Sequence, residues 1–174
     1  MRYFQNTISY NQGVMNAIFK KLNYKDQDQI FVVNAPKSFE KEMDEMGTIT
    51  AIQTNLGAAK EVEFFLGFVM KQKEVDELTK KVAPIIKGDG LLWFAYPKGS
   101  SKKYKCEFNR DNGWNELGKY GFEPVRMVAV DEDWSALRFR KAENIKTMTR
   151  SFAITETGKE KVAESKKKAV RKRK

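Results

Sequence analysis

Three stretches of this chain are apolar at nearly every position: Ile30-Phe31-Val32-Val33, Phe64-Phe65-Leu66-Gly67-Phe68-Val69-Met70 and Leu91-Leu92-Trp93-Phe94-Ala95-Tyr96. Alternation would mark a strand with one wet face. Its absence, in runs this short, marks strands covered on both faces. A sheet covered twice needs helices above and below it, and so a mostly parallel order with right-handed crossovers.

The segments between the runs fit that plan. The spacing predicts a helix from Asn11 to Leu22, with Val14, Ala17, Ile18 and Leu22 on its buried face. Ser38 reads as the N-cap of a charged helix reaching Met46, and Gly47 as its stop. Thr48 to Thr54 reads as a further strand, and Ala58 to Val62 as a helical turn. Glu74 to Ile86 is helical, with Lys80 and Lys81 near its end where the dipole favours cations. Gly88-Asp89-Gly90 reads as the break before the next strand. Asp111 to Tyr120 is helical, with Trp114 and Leu117 inward. Val125 to Val130 and Ser135 to Arg140 are strands joined by a hairpin at Asp131-Glu132-Asp133-Trp134.

The expected architecture is three-layer and Rossmann-like, with about six strands and an antiparallel C-terminal hairpin. Residues 1–24 form a helical segment packing on the domain, 25–141 the α/β domain, and 142–174 an extension ending in a flexible tail. Phe152 and Ile154 are expected to pack on the domain.

Composition removes whole classes of chemistry. The 174 residues contain no histidine and one cysteine, Cys106. Ser-His-Asp and Cys-His catalysis and tetrahedral zinc sites within one chain are excluded. A lone cysteine, the lack of an apolar leader in residues 1–10 and the shortness of every apolar run lead us to expect a cytoplasmic protein without a membrane span. The net charge is +10, unevenly spread. Residues 159–174 hold nine cations and two carboxylates, a net +7, which leaves +3 for residues 1–158.

The order of pieces resembles a class I methyltransferase domain, most closely over Ile85–Arg140. The matching residues are Ile86-Lys87-Gly88-Asp89-Gly90-Leu91-Leu92-Trp93, Gly121-Phe122-Glu123-Pro124-Val125 and the strands around Asp131. Residues 22–141 further resemble a bacterial domain family with a shortened version of that fold. Val33-Asn34-Ala35-Pro36-Lys37-Ser38-Phe39, Leu92-Trp93-Phe94-Ala95-Tyr96-Pro97-Lys98 and Val130-Asp131-Glu132-Asp133-Trp134-Ser135-Ala136-Leu137-Arg138-Phe139 carry that resemblance. No activity is established for that family, so the resemblance implies a fold and not a function. The methyltransferase pattern implies a glycine loop after the first strand and an acid ending the second. This chain has Asn34-Ala35-Pro36-Lys37 and Gln53-Thr54-Asn55 there. No cofactor is therefore expected.

Ligands of open α/β sheets sit beyond the carboxyl ends of the strands. The candidates there are Asn34, Ala35, Pro36, Gln53, Asn55, Tyr96 and Lys98. A hairpin cluster of Asp131, Trp134 and Ser135 is a second candidate, though Asp131 and Ser135 equally suit satisfying the turn backbone. Lys102, Lys103 and Lys105, interleaved with Tyr104, suit a phosphate backbone. So do Lys166, Lys167, Lys168, Arg171, Lys172, Arg173 and Lys174, without aromatic residues for base reading. No metal site is expected. The leading expectation is a non-catalytic binding or regulatory module whose basic tail meets nucleic acid or an acidic protein. The alternative is a small-molecule transferase with an atypical pocket.

Overall fold

The structure, a computed structural model, describes residues 14–172. Its elements run α1 (Ala17–Lys21), β1 (Gln29–Val33), α2 (Glu40–Gly47), β2 (Ala51–Gln53), β3 (Val62–Phe68), α3 (Gln72–Val82), β4 (Ile86–Pro97), α4 (Asn115–Lys119), β5 (Phe122–Ala129), β6 (Trp134–Lys141) and α5 (Glu156–Arg171). The six strands form one sheet in the order β2-β1-β3-β4-β6-β5. β2, β1, β3 and β4 are parallel, and β6 is antiparallel to both of its neighbours. This is a Rossmann-like α/β sheet of the methyltransferase type with its antiparallel hairpin.

Both faces are covered, which is why the strands do not alternate. Ile30, Val32, Phe64, Leu66, Phe68 and Trp93 point to one face, under Phe19 of α1, Leu22 at its end, Phe39 at the start of α2 and Met46 within it. Phe31, Val33, Phe65, Leu92, Phe94 and Phe139 point to the other, under Val75 and Val82 of α3 and Trp114 and Leu117 beside and within α4. Gly67 lets α3 approach: a Cβ there would lie 2.7 Å from Phe65 and 3.3 Å from Leu78.

Several local expectations are corrected. Residues 11–13 of the first helix lie outside the described residues. Its visible part is shorter and turned, with Val14 and Ala17 exposed and Phe19 and Leu22 buried. Asn16 is the N-cap: its Oδ1 accepts from the amides of Ile18 and Phe19. Trp93 Nε1 donates to the Leu22 carbonyl at 3.0 Å and ties this end to the sheet. Ser38 caps nothing; a 3-10 turn, Lys37–Phe39, follows Pro36 instead. Ala58 to Val62 is not helical. Leu56 to Ala59 forms a turn whose apolar side chains cover Phe31 and Val33, and Val62 already belongs to β3.

Gly88-Asp89-Gly90 does not separate two elements. It lies inside β4, where pairing with β3 passes from Val62↔Ile86 to Phe64↔Leu91 across a register shift. Gly88, at φ +55°, absorbs the irregularity. The helix expected over 111–120 begins only at Asn115, because Asn109 and Asn112 close a polar turn ahead of it.

The extension is helical where no regular structure was expected. Thr155 Oγ1 accepts from the Gly158 amide at 2.9 Å and starts α5. Val162 packs on Ile145 and Met148 against Val125 of edge strand β5. Ile154 packs on the second face, whereas Phe152 is 41 % exposed. Among the described residues no helix is long and apolar enough to cross a membrane.

Candidate functional site

A small groove of about 530 Å³ runs from the carboxyl end of β1 and the turn after β2 along α3, lined by Asn34, Asn55 and Leu56 and by Glu74, Glu77 and Lys81 of α3. Asn34 stands in the left-handed region, at φ +58°, which asparagine tolerates better than most residues. It is exposed, as are Gln53 and Asn55. Ala35 and Pro36 are half-buried and turn the chain toward α2: the Phe39 amide donates to the Pro36 carbonyl at 2.8 Å.

The amides of Met70, Lys71 and Gln72, at the start of α3 beside this groove, are already engaged. Glu74 Oε2 accepts from the Met70 and Lys71 amides at 2.7 and 3.0 Å. Glu107 Oε2 accepts from the Gln72 amide at 2.8 Å. Two carboxylates of the chain itself thus occupy the start of α3. S-adenosylmethionine, the cofactor that this fold implies, does not fit here. The turn after β1 carries a Cβ at each position, β2 ends without a carboxylate, and the nearby helix N-terminus is filled.

The larger space lies two strands away. Beyond β4 the loop 98–113 and the β5–β6 hairpin enclose about 900 Å³, lined by Tyr96, Lys98, Tyr104, Phe108, Arg110 and Met127. Ser100, Ser101, Lys105, Cys106 and Ser135 also face it, and no carboxylate does. Tyr96 stands between Phe108 and Trp114, with ring centroids 6.1 and 5.6 Å away, and its hydroxyl donates to Met127 Sδ at 3.3 Å. Burial pushes the Tyr96 phenol up from its ordinary value, and likewise the Cys106 thiol. Both stay protonated at neutral pH.

The hairpin acids build this wall by satisfying nearby donors. Asp131 Oδ1 accepts from the Asp133 and Trp134 amides, both at 2.8 Å. Asp133 Oδ1 accepts from Ser101 Oγ at 2.8 Å, and that hydroxyl in turn accepts from the Tyr104 amide. Lys98 Nζ donates to the Asp131 carbonyl. Trp134 packs 5.1 Å from Tyr104, centroid to centroid. Among the described residues no group of three or more acids, histidines or cysteines converges as a metal site would.

The seven edge residues singled out in the sequence therefore divide. Asn34 and Asn55 share the small groove, Tyr96 and Lys98 share the large cavity, and Ala35 and Pro36 line neither. Gln53 and Asn55 border a third hollow of about 360 Å³ by β2. Ser135 lines the large cavity. Lys102 and Lys103 are exposed on its loop, Lys103 lying 3.6 Å from Asp133. Lys166, Lys167, Lys168 and Arg171 sit exposed on the distal part of α5, and Lys172 caps it. Arg173 and Lys174 lie outside the described residues. Sequence reasoning missed Phe108, Arg110 and Met127 as lining residues. The spacing of Tyr104 and Phe108 inside a polar loop was the available signal.

No protein-family model matches the chain, and no curated protein does. Solved structures match the chain at low identity. The ribosomal protein L11 methylase of Lactobacillus delbrueckii subsp. bulgaricus is 9 % identical over 71 % of this chain and 76 % of that one, with TM-score 0.44. The Methanococcus jannaschii fibrillarin pre-rRNA processing protein is 11 % identical over 67 % of each chain, with TM-score 0.44. A protein of the NADB-Rossmann superfamily from Streptococcus agalactiae is 9 % identical over 71 % and 67 %, with TM-score 0.38. By its own strand order this chain is a Rossmann-like domain of the methyltransferase type, and among its described residues the cavity beyond β4 is larger than the groove beyond β1.

Proposed function

We propose that the domain is a small-molecule binder of the transferase type that takes an anionic aromatic ligand, of the nucleotide class, in the cavity beyond β4. One observation carries this reading: aromatic walls from Tyr96, Tyr104 and Phe108 are combined with Lys98 and Lys105 and with no carboxylate in the lining, while Arg110, also in the lining, is paired with Asp111 behind it. Rings accept a flat aromatic group, and the cations accept the charge it carries. The protonated Tyr96 and Cys106 supply donors and not a base, so chemistry there would rest on positioning.

Thermal unfolding against ATP, coenzyme A and S-adenosylmethionine tests this. ATP or coenzyme A at about 100 times its dissociation constant should add about 2.7 kcal/mol. Tyr104→Ala should remove that gain while the free protein still unfolds cooperatively. No shift with any of the three, or an unchanged shift in Tyr104→Ala, overturns the reading.

A second reading rests on α5. From Lys166 to Lys172 every side chain is exposed, and five of the seven are cationic. Such a rod suits non-specific contact with nucleic acid through counterion release. Gel-shift binding should be lost in a chain ending at Ser165. That end point spares Gly158 and Val162, which are buried.

A further inference from the structure

The amino edge of the sheet holds a second cavity, of about 660 Å³, between the chain after α1 and the starts of β3 and β4. Four cations line it: Lys20, Lys25, Lys87 and Arg138. Its two carboxylates are already engaged. Glu63 accepts from Lys87 Nζ at 2.9 Å, and Asp89 is gripped by both ends of the Arg140 guanidinium. Among the described residues Lys20, Lys25 and Arg138 have no carboxylate within ion-pair distance.

Arg138 is the unusual member. Its Cα lies directly across the ladder from that of Arg126, and like charges in that position repel. Arg126 donates to Oδ1 of Asn23, a residue of the cavity wall, at 3.0 Å. Arg138 has no such outlet: it is half-buried, and its Nε is fully buried without an acceptor. Burial, then Arg140 and Arg126, push its guanidinium down from the ordinary value, and the nearby Asp89 opposes them only in part. A half-buried cation with an unmatched donor beside another cation is costly unless an anion is supplied.

We propose that this cavity binds a phosphate-bearing small molecule, held by Arg138 with Lys20 and Lys25. Phosphate matches the fork of donors on a guanidinium and carries the charge that the paired carboxylates leave uncompensated. The cavity is at the sheet edge opposite the one used in the proposed function, so the two readings stand or fall separately.

The test is thermal unfolding of the full chain with inorganic phosphate and with ribose 5-phosphate, against sodium chloride of equal ionic strength. A saturable rise in Tm with either phosphate, absent in chloride, is expected. Arg138→Met keeps the apolar stem and removes the charge. It should abolish the rise and increase Tm in phosphate-free buffer. The double variant Lys20→Ala, Lys25→Ala changes only exposed residues and should weaken phosphate binding at least tenfold. Ribose 5-phosphate binding more tightly than phosphate would identify a phosphomonoester, and equal binding the free ion; both support the site. No saturable rise, or the same rise in the double variant, overturns it.

Discussion

The two edges of this sheet are finished in different ways. At the carboxyl edge, carboxylates satisfy backbone amides: Glu74 takes two, Glu107 one and Asp131 two. At the amino edge, side chains pair mainly with each other: Lys87 with Glu61 and Glu63, and Arg140 with Asp89. The first kind of contact is hard to replace, because removing the carboxylate orphans an amide that has no other partner. The second is made by groups that water solvates readily. The carboxyl edge is therefore expected to resist substitution more than the amino edge.

Glu123 is the exception at the amino edge, and it gives the largest expected effect. It is 1 % exposed, and its Oε1 accepts from the Ile154 and Thr155 amides and from Thr155 Oγ1. Glu123→Ala should cost about 2–3 kcal/mol in chemical denaturation and release α5, seen as lost helical circular dichroism. A small cost would show that the contact made, backbone or side chain, does not set the price of losing a carboxylate.

Glu74→Ala follows at about 1–2 kcal/mol, since it uncaps α3 and leaves two amides unmatched. Lys87→Ala should leave the denaturation midpoint where it was, because that ion pair is exposed on both sides. If Lys87→Ala costs more than Glu74→Ala, the contrast between the edges fails.

The smallest change expected to differ from zero is one of pH. The guanidinium of Arg140 holds the Asp89 carboxyl below its ordinary value of 3.8. A lowered carboxylate stabilises the fold above its ordinary value, and that contribution is lost as pH falls through the depressed folded-state value. Asp89→Asn should flatten this part of the acid limb in a Tm-against-pH series. Asp89 is partly exposed, so the change is slight.

The sheet was legible because its cause is written locally. Phe64-Phe65-Leu66 and Leu92-Trp93-Phe94 are apolar on both sides, and only a twice-covered strand needs that. The hairpin at Asp131 was legible for the same reason: its turn residues bond their own backbone. The interrupted start of β4 was not, because Gly88 and Gly90 punctuate a helix end and a bulge alike. The buried face of α1 was misread because Phe19, the residue it buries, lies outside the assumed spacing. The site was legible only in part. Tyr96 and Lys98 mark the correct strand end, but what encloses them comes from Phe108 and Met127, far apart in sequence and joined only by the fold.

Helix α5 has a mechanical consequence. Its docked half ends near Ser165, and the six residues Lys166–Arg171 project about 9 Å further, roughly one Debye length at physiological salt. The positive pole of the molecule thus stands off from a body that carries only +3. A polyanion nearby exerts a torque before it exerts a contact, and turns the molecule helix-first toward itself.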